Sequence, residues 1–193
     1  FEDNSKVVMN STSSNALKLS GRIYSDLEIN SELLINEIII NDCFIRKLQV
    51  NPSATFTVNS LNNSSMVPSI NIKGDLVILG NLVFPESTLK KLNIKFNGSE
   101  PQNISGNGPS NFNSSIDNIF ISNDLNINRD LFVRCNVIHN NGVIACTEHT
   151  FTVNGNYISP FAVPIGIIIQ SQRFSNGNSH DGIQLTSEEG LAD

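Results

Sequence analysis

NDLNIN-RDLFVR-CNVIHN-NGVIAC, residues 123–146, is four six-residue units in register. Leu125, Leu131, Val137 and Val143 share one position of the unit, and Ile127, Val133, His139 and Ala145 share the position two further on. Asp124, Asp130, Asn136 and Gly142 stand just before the first of these. Successive side chains of a strand point to opposite faces, so apolar–any–apolar describes a short strand with one buried side. The turn-prone residues that follow make a corner. A helix would need apolar spacings of three and four, so the unit predicts stacked or meandering β structure. On this reading, side chains six positions apart lie one above another.

The same unit recurs earlier. SDLEIN, SELLIN, EIIIND and CFIRKL, starting at Ser25, put Leu27, Leu33, Ile39 and Ile45 on the first column and Ile29 and Ile35 on the second. GDLVIL and GNLVFP place Leu76 and Leu82 six apart, with Ile78 and Phe84 beside them. Asn41, Lys47 and His139 interrupt the apolar columns and read as edges or last coils where burial is incomplete.

A larger repeat encloses these blocks. TFTVN occurs at Thr55–Asn59 and again at Thr150–Asn154. Each copy follows a hexad block, and each precedes a Val-Pro pair (Val67-Pro68, Val163-Pro164) leading into an apolar strand, SINI or IGIII. The displacement of roughly 95 to 98 residues predicts a tandem duplication. The stretch NGSEPQNISGNGPSNFNSS, residues 97–115, reads as the boundary between copies because it is rich in Gly, Pro, Asn and Ser. The expected division is an N-terminal arm at 1–16, flexible or partner-bound; a first β module at 17–100; a linker at 101–115; and a second β module at 116–193. The fold class is all-β with very little helix, either a hexapeptide-period β-solenoid or β-sandwich modules, in two tandem related copies. For the sandwich, Asn141-Gly142 is the candidate type I′ hairpin turn.

Composition narrows function. A net charge of −6 without a Lys/Arg cluster argues against nucleic acid, which requires cations to displace phosphate counterions. No apolar run approaches the length of a membrane span. Asparagine accounts for 29 of 193 residues, and it suits corners because it tolerates left-handed backbone angles and bonds its own turn. Six N-x-S/T acceptors, at Asn10, Asn62, Asn63, Asn97, Asn103 and Asn113, are about the number that such a composition produces by chance. The chain begins at Phe1 rather than Met, which fits a processed product or a fragment. Abundant Asn and Ile suggest an AT-rich coding sequence.

Chemistry is sparse. Cys43, Cys135 and Cys146 lack metal-type spacing and read as small buried hydrophobes, although Cys135 and Cys146 could lie on adjacent coils. Glu148-His149 reads as a surface pair, and His180-Asp181 with Glu188-Glu189 as a solvated acidic tail. Asp26, Asp75, Asp124 and Asp130 stand at successive corners; hydrogen bonding there fits better than calcium, because the glycine and aspartate density of calcium-binding rolls is missing. The sequence therefore assigns no catalytic, cofactor-binding or metal-binding residue, no cofactor and no enzyme activity.

KGDLVILGNLVF (Lys73–Phe84) and NDLNINRDLFV (Asn123–Val133) resemble the GDLxVxGxL repeats of bacteriophage and large-virus fibre or spike proteins, and those of bactofilin-type polymers. AVPIGIII (Ala162–Ile169) resembles the PVGTII entry of phage tail-collar domains. The resemblance implies a β-helix, intertwined between three chains in many fibres and self-contained in bactofilins. Left-handed acyltransferase helices also have six-residue repeats, but they need a small residue where this chain has Arg129 and Glu37. A polysaccharide-degrading helix would want paired carboxylates and aromatic platforms, whereas Trp is absent and Tyr occurs twice.

The expectation is a non-enzymatic structural protein of a virion surface, fibre or extracellular appendage. Its partners would be copies of itself, as a trimer or polymer, and other particle proteins, joined through the N-terminal arm and the strand at Ile165–Ile169. The alternative is a receptor- or glycan-binding adhesin module using loops 59–65 and 97–115.

Overall fold

The computed structural model describes residues 6–12, 17–61, 66–86, 92–112, 115–146 and 148–160, and the backbone of 167–169. Among these residues there is no helix, and every strand pairing is parallel. The chain winds as a β-solenoid of about six turns with three faces.

Face one carries β6 (Ser69–Ile72), β9 (Leu92–Phe96), β12 (Ile116–Ile121), β15 (Asn136–His139) and β18 (Tyr157–Ile158). Face two carries β1 (Lys6–Met9), β7 (Leu76–Ile78), β10 (Gln102–Ser105), β13 (Leu125–Asn128) and β16 (Ile144–Ala145). The long strands β2 (Ile23–Ile29) and β4 (Cys43–Val50) span both faces, because the first half of β4 pairs with β6 and the second half with β7. Face three carries β3 (Glu32–Glu37), β5 (Thr55–Ser60), β8 (Asn81–Phe84), β11 (Ser110–Phe112), β14 (Leu131–Val133), β17 (Phe151–Val153) and β19 (Ile167–Ile169).

One hexad is therefore one face plus its corner, and a turn needs three. Leu125, Leu131 and Val137 are all buried, but on faces two, three and one of a single turn, so they do not stack on each other. Val143 lies outside the core at 64% exposed. Stacked partners lie a whole turn apart: Leu125 pairs with Ile144, Leu131 with Phe151 and Val137 with Tyr157. A longer column on face one runs Cys43, Ile70, Ile94, Ile119, Val137 and Tyr157. Each inward aliphatic side chain contributes about 1.5–3 kcal/mol relative to exposure. Together they form one continuous core.

The sandwich alternative falls with the absence of antiparallel pairs among the described residues. Nor is Asn141-Gly142 a type I′ turn, which needs positive φ at both central residues. Gly142 has φ +85°, but Ser53 is the only non-glycine residue with positive φ among those described. Residues 101–115, expected as a linker, instead supply β10 and β11, each hydrogen-bonded to strands on both sides. The described residues on either side of this stretch thus belong to continuous sheets. The two TFTVN copies do share face three, as β5 and β17, but SINI is β6 on face one while the strand after Val163-Pro164 is β19 on face three. The third landmark of the proposed duplication therefore occupies different places in the two copies.

Part of the N-terminal arm belongs to the core. β1 pairs with β2 from Lys6↔Asp26 to Met9↔Ile29, and Met9 is buried, as are Leu17 and Leu19 just beyond the arm. Residues 1–5 and 13–16 lie outside the described residues. Of the strand expected to reach a neighbour, Ile165–Ile169, the described part, Ile167–Ile169, pairs with β17 of its own chain.

Candidate interaction surface

The corners are built by polar side chains that reach back or forward by one turn. Strand ladders lapse at a corner, and a backbone N–H left there must find another acceptor. Asp42 Oδ1 accepts from Ser69 N (2.8 Å), Asp75 Oδ1 from Asn103 N (2.9 Å), Asp124 Oδ1 from Val143 N (2.8 Å) and Asp130 Oδ1 from Thr150 N (2.8 Å). Asparagine does the same where Asn93 and Asn136 accept from Asn118 N and Asn156 N. Amide–amide ladders add to this, at Asn10–Asn30 (2.9 Å), Asn36–Asn59 (2.8 Å), Asn71–Asn97 (3.0 Å) and Asn103–Asn126 (3.1 Å). Corner hydrogen bonding is thus what Asp75, Asp124 and Asp130 do; Asp26 forms an ion pair with Arg46 at 2.8 Å. Among the described residues no three His, Cys, Asp or Glu side chains gather as a metal-holding group.

The histidines go to different places. His139, expected to be incompletely covered, is 2% exposed. Its Nε2 lies 3.0 Å from the Gly142 carbonyl and so carries the proton, leaving Nδ1 to accept from the Tyr157 hydroxyl at 2.9 Å. Burial pushes the Tyr157 phenol up to about 12. His149 sits 3.8 Å from Asp130, beside the exposed Glu148. The cluster of His180, Asp181, Glu188 and Glu189 lies outside the described residues. None of the three cysteines is in a disulfide and all are buried; burial first, then neighbouring carboxylates, push Cys43 up to about 12 and Cys146 to about 11. The thiolates needed for nucleophilic chemistry are therefore disfavoured at both.

An open groove of about 650 Å³ runs along the corner between faces two and three. It is lined by Leu79, Asn107, Asn128, Arg129, Asp130 and His149. Arg129 reaches back across a turn, with Nη2 donating to the Gly108 carbonyl at 2.6 Å and Nε to that of Asp130 at 3.2 Å. Its Nη1 is buried with no partner among the described residues, and desolvation lowers the basicity of the guanidinium.

A ridge of exposed apolar side chains in the N-terminal turns lies at the corner between faces three and one. In the run Glu37-Ile38-Ile39-Ile40, Ile39 turns inward and is fully buried, while Ile38 and Ile40 are 60% and 56% exposed. The backbone beneath them is held firmly. Glu37 Oε1 accepts from Leu19 N and Ser20 N, and Ser20 Oγ accepts from Ile40 N (3.1 Å) and Asn41 N (3.2 Å). Leu61 continues the exposed ridge one turn on, its N–H donating to the Glu37 carbonyl at 2.9 Å. Beside the ridge, β3 pairs with β5 on one side and with no other strand among the described residues. Outward from β3 points Leu34, 42% exposed.

Sequence reasoning placed Ile39 in a column and so read past Ile38 and Ile40; three consecutive isoleucines at a corner were the available signal. It read Arg129 only as a misfit, and nothing in the local pattern marked it as the wall of a groove. No helix among the described residues is long and apolar enough to cross a membrane. No family model, no curated protein and no solved structure matches the chain.

Proposed function

We propose that this chain is a non-enzymatic structural protein of a virion surface, fibre or extracellular appendage that associates with copies of itself through strand contacts at β3 and the Ile38–Ile40 corner. The observation that carries this reading is the corner itself. Two large aliphatic side chains project from a backbone pinned by Glu37 and Ser20, next to a strand, β3, that among the described residues pairs with β5 alone. Contiguous exposed apolar surface of this kind marks contact sites, and a strand edge is a ready template for another strand. A pre-set backbone reduces the ordering cost of docking. The resemblance to fibre and bactofilin repeats supports the same reading through the solenoid they have in common.

Light scattering over a range of concentrations tests it. The native chain is expected to give oligomers or polymers, and Ile38→Lys with Ile40→Lys is expected to give a monomer with an unchanged circular dichroism spectrum. A native chain that stays monomeric at every concentration overturns the proposal.

A receptor- or glycan-binding module is the second reading, supported by the groove, where the side chains of Asn107, Asn128, Asp130 and His149 converge. Asn107 comes from the 97–115 segment in which recognition was expected. Glycan-array binding by a non-associating monomer would favour this reading over assembly.

A further inference from the structure

Asn-Gly occurs four times in the described chain, at 97–98, 107–108, 141–142 and 154–155. Such a pair can close on itself, because glycine has no Cβ to obstruct the approach of its nitrogen to the preceding side-chain carbonyl carbon. Closure needs that nitrogen free and the asparagine able to rotate.

The four pairs differ in this respect. Gly98 N donates to Gln102 Oε1 at 2.8 Å, and the Asn97 amide donates to Asn71 at 3.0 Å. Gly108 N donates to the Ile78 carbonyl at 2.9 Å. In both pairs the attacking nitrogen is occupied. At 154–155 the Gly155 N–H has no partner among the described residues, but the N–H of Asn154 is held by the Val133 carbonyl at 2.8 Å. At 141–142 the last ladder bond is that of Asn140 N to Ile121 O, and neither Asn141 N nor Gly142 N has a partner among the described residues. Asn141 is exposed, and so is Val143 after the glycine.

We propose that Asn141 is a site of spontaneous deamidation, a slow covalent modification at the corner leading into β16. The Gly142 nitrogen forms a bond to Asn141 Cγ and gives up its proton, while the C–N bond to the side-chain nitrogen breaks and ammonia leaves. Water then opens the cyclic imide at either carbonyl, giving aspartate or, with an extra methylene in the main chain, isoaspartate. Net, one water is consumed and one ammonia released, with no change of oxidation state. The product carries a new negative charge. The isoaspartate also displaces the Gly142 carbonyl, which accepts the proton of buried His139, so the chemistry at an exposed corner reaches the His139–Tyr157 pair.

Native full-length protein held at mildly alkaline pH and mapped by peptide mass spectrometry tests this. Asn141 is expected to convert at least about tenfold faster than Asn97 and Asn107, whose glycine N–H groups must first open, with Asn154 between. In urea the four rates should converge, and Asn141→Gln should abolish the acidic species that maps to the peptide containing residues 141–142. Native conversion at Asn141 no faster than at Asn97 and Asn107, or a native ranking that persists in urea, overturns the proposal.

Discussion

Gln102 is fully buried in a position where its neighbours along face two are leucines and isoleucines. Its amide nitrogen donates to the carbonyls of Ile72 (2.9 Å) and Gly74 (2.7 Å), and its oxygen accepts from Gly98 N at 2.8 Å. The glutamine also marks a slip in stacking. Ile104, two residues on, is the partner of Leu76 on the preceding turn, while Gln102 is the partner of Leu125 on the next. The extra inward position therefore has no apolar residue of β7 beneath it, and the amide fills it by closing the Lys73–Asp75 corner. Gln102→Leu keeps the volume but takes a partner from the buried Ile72 carbonyl and from the half-buried Gly74 carbonyl and Gly98 N–H, at about 1 kcal/mol each. Urea unfolding is expected to show a loss of about 3 kcal/mol. A loss below about 0.5 kcal/mol would mean that leucine is as good as the amide there, and the bonds would not explain the residue.

At the scale of elements, β1 depends on an ion pair as well as its ladder. Lys6 pairs with Glu28, which also accepts from Asn51 Nδ2 at 2.6 Å. The hydrogen bond from Lys6, with that from Asn51, holds the Glu28 carboxyl below its usual range against the opposing effect of burial. A depressed folded-state pKa gives stability that is present above the unfolded value and is lost as pH falls through the folded one. Lowering the pH below the ordinary glutamate range should therefore loosen β1. The readout is exchange of the Asn30 N–H, which donates to the Met9 carbonyl at 2.9 Å. For a pair whose lysine is half exposed, about 0.5 kcal/mol, or about a twofold loss of protection, is expected, and Glu28→Gln should show the same loss at neutral pH. Inward positions were legible in the sequence, because alternation of period two fixes them strand by strand: Leu27, Leu33, Ile39 and Ile45 are all buried. Which of them stack was not legible, since that depends on turn length, and the loops between hexads differ. β10 and β11 were missed because Gln102 breaks the apolar alternation and because Gly106 and Gly108 look like linker punctuation. Gly108 is there for another reason: a Cβ on it would lie 1.9 Å from the Gly80 carbonyl of the turn below. The surface at Ile38 and Ile40 was hidden by the same limit, since only the fold tells which of three adjacent isoleucines turns inward.

Across the whole molecule each turn touches the turns before and after it, so stability is close to a sum of nearest-neighbour terms. The two ends are unequal. At the start, β1 extends face two, and Met9, Leu17 and Leu19 bury themselves against the first turn as a cap. Towards the other end, β16 and β18 are two residues each, and among the described residues they pair only with β13 and β15. A terminal turn loses one interface when it opens, whereas a central turn loses two. Opening free energy should therefore climb from β16 and β18 towards β6, β7 and β9, which have neighbours on both sides. Native-state hydrogen exchange in low urea is expected to release the amides of Ile144 and Ile158 first and those of Ile72 and Ile94 last, with β1 intermediate because of its cap. If all these amides exchanged with one common free energy and one urea dependence, the solenoid would be opening as a single unit, and the turn-by-turn account of its stability would be wrong.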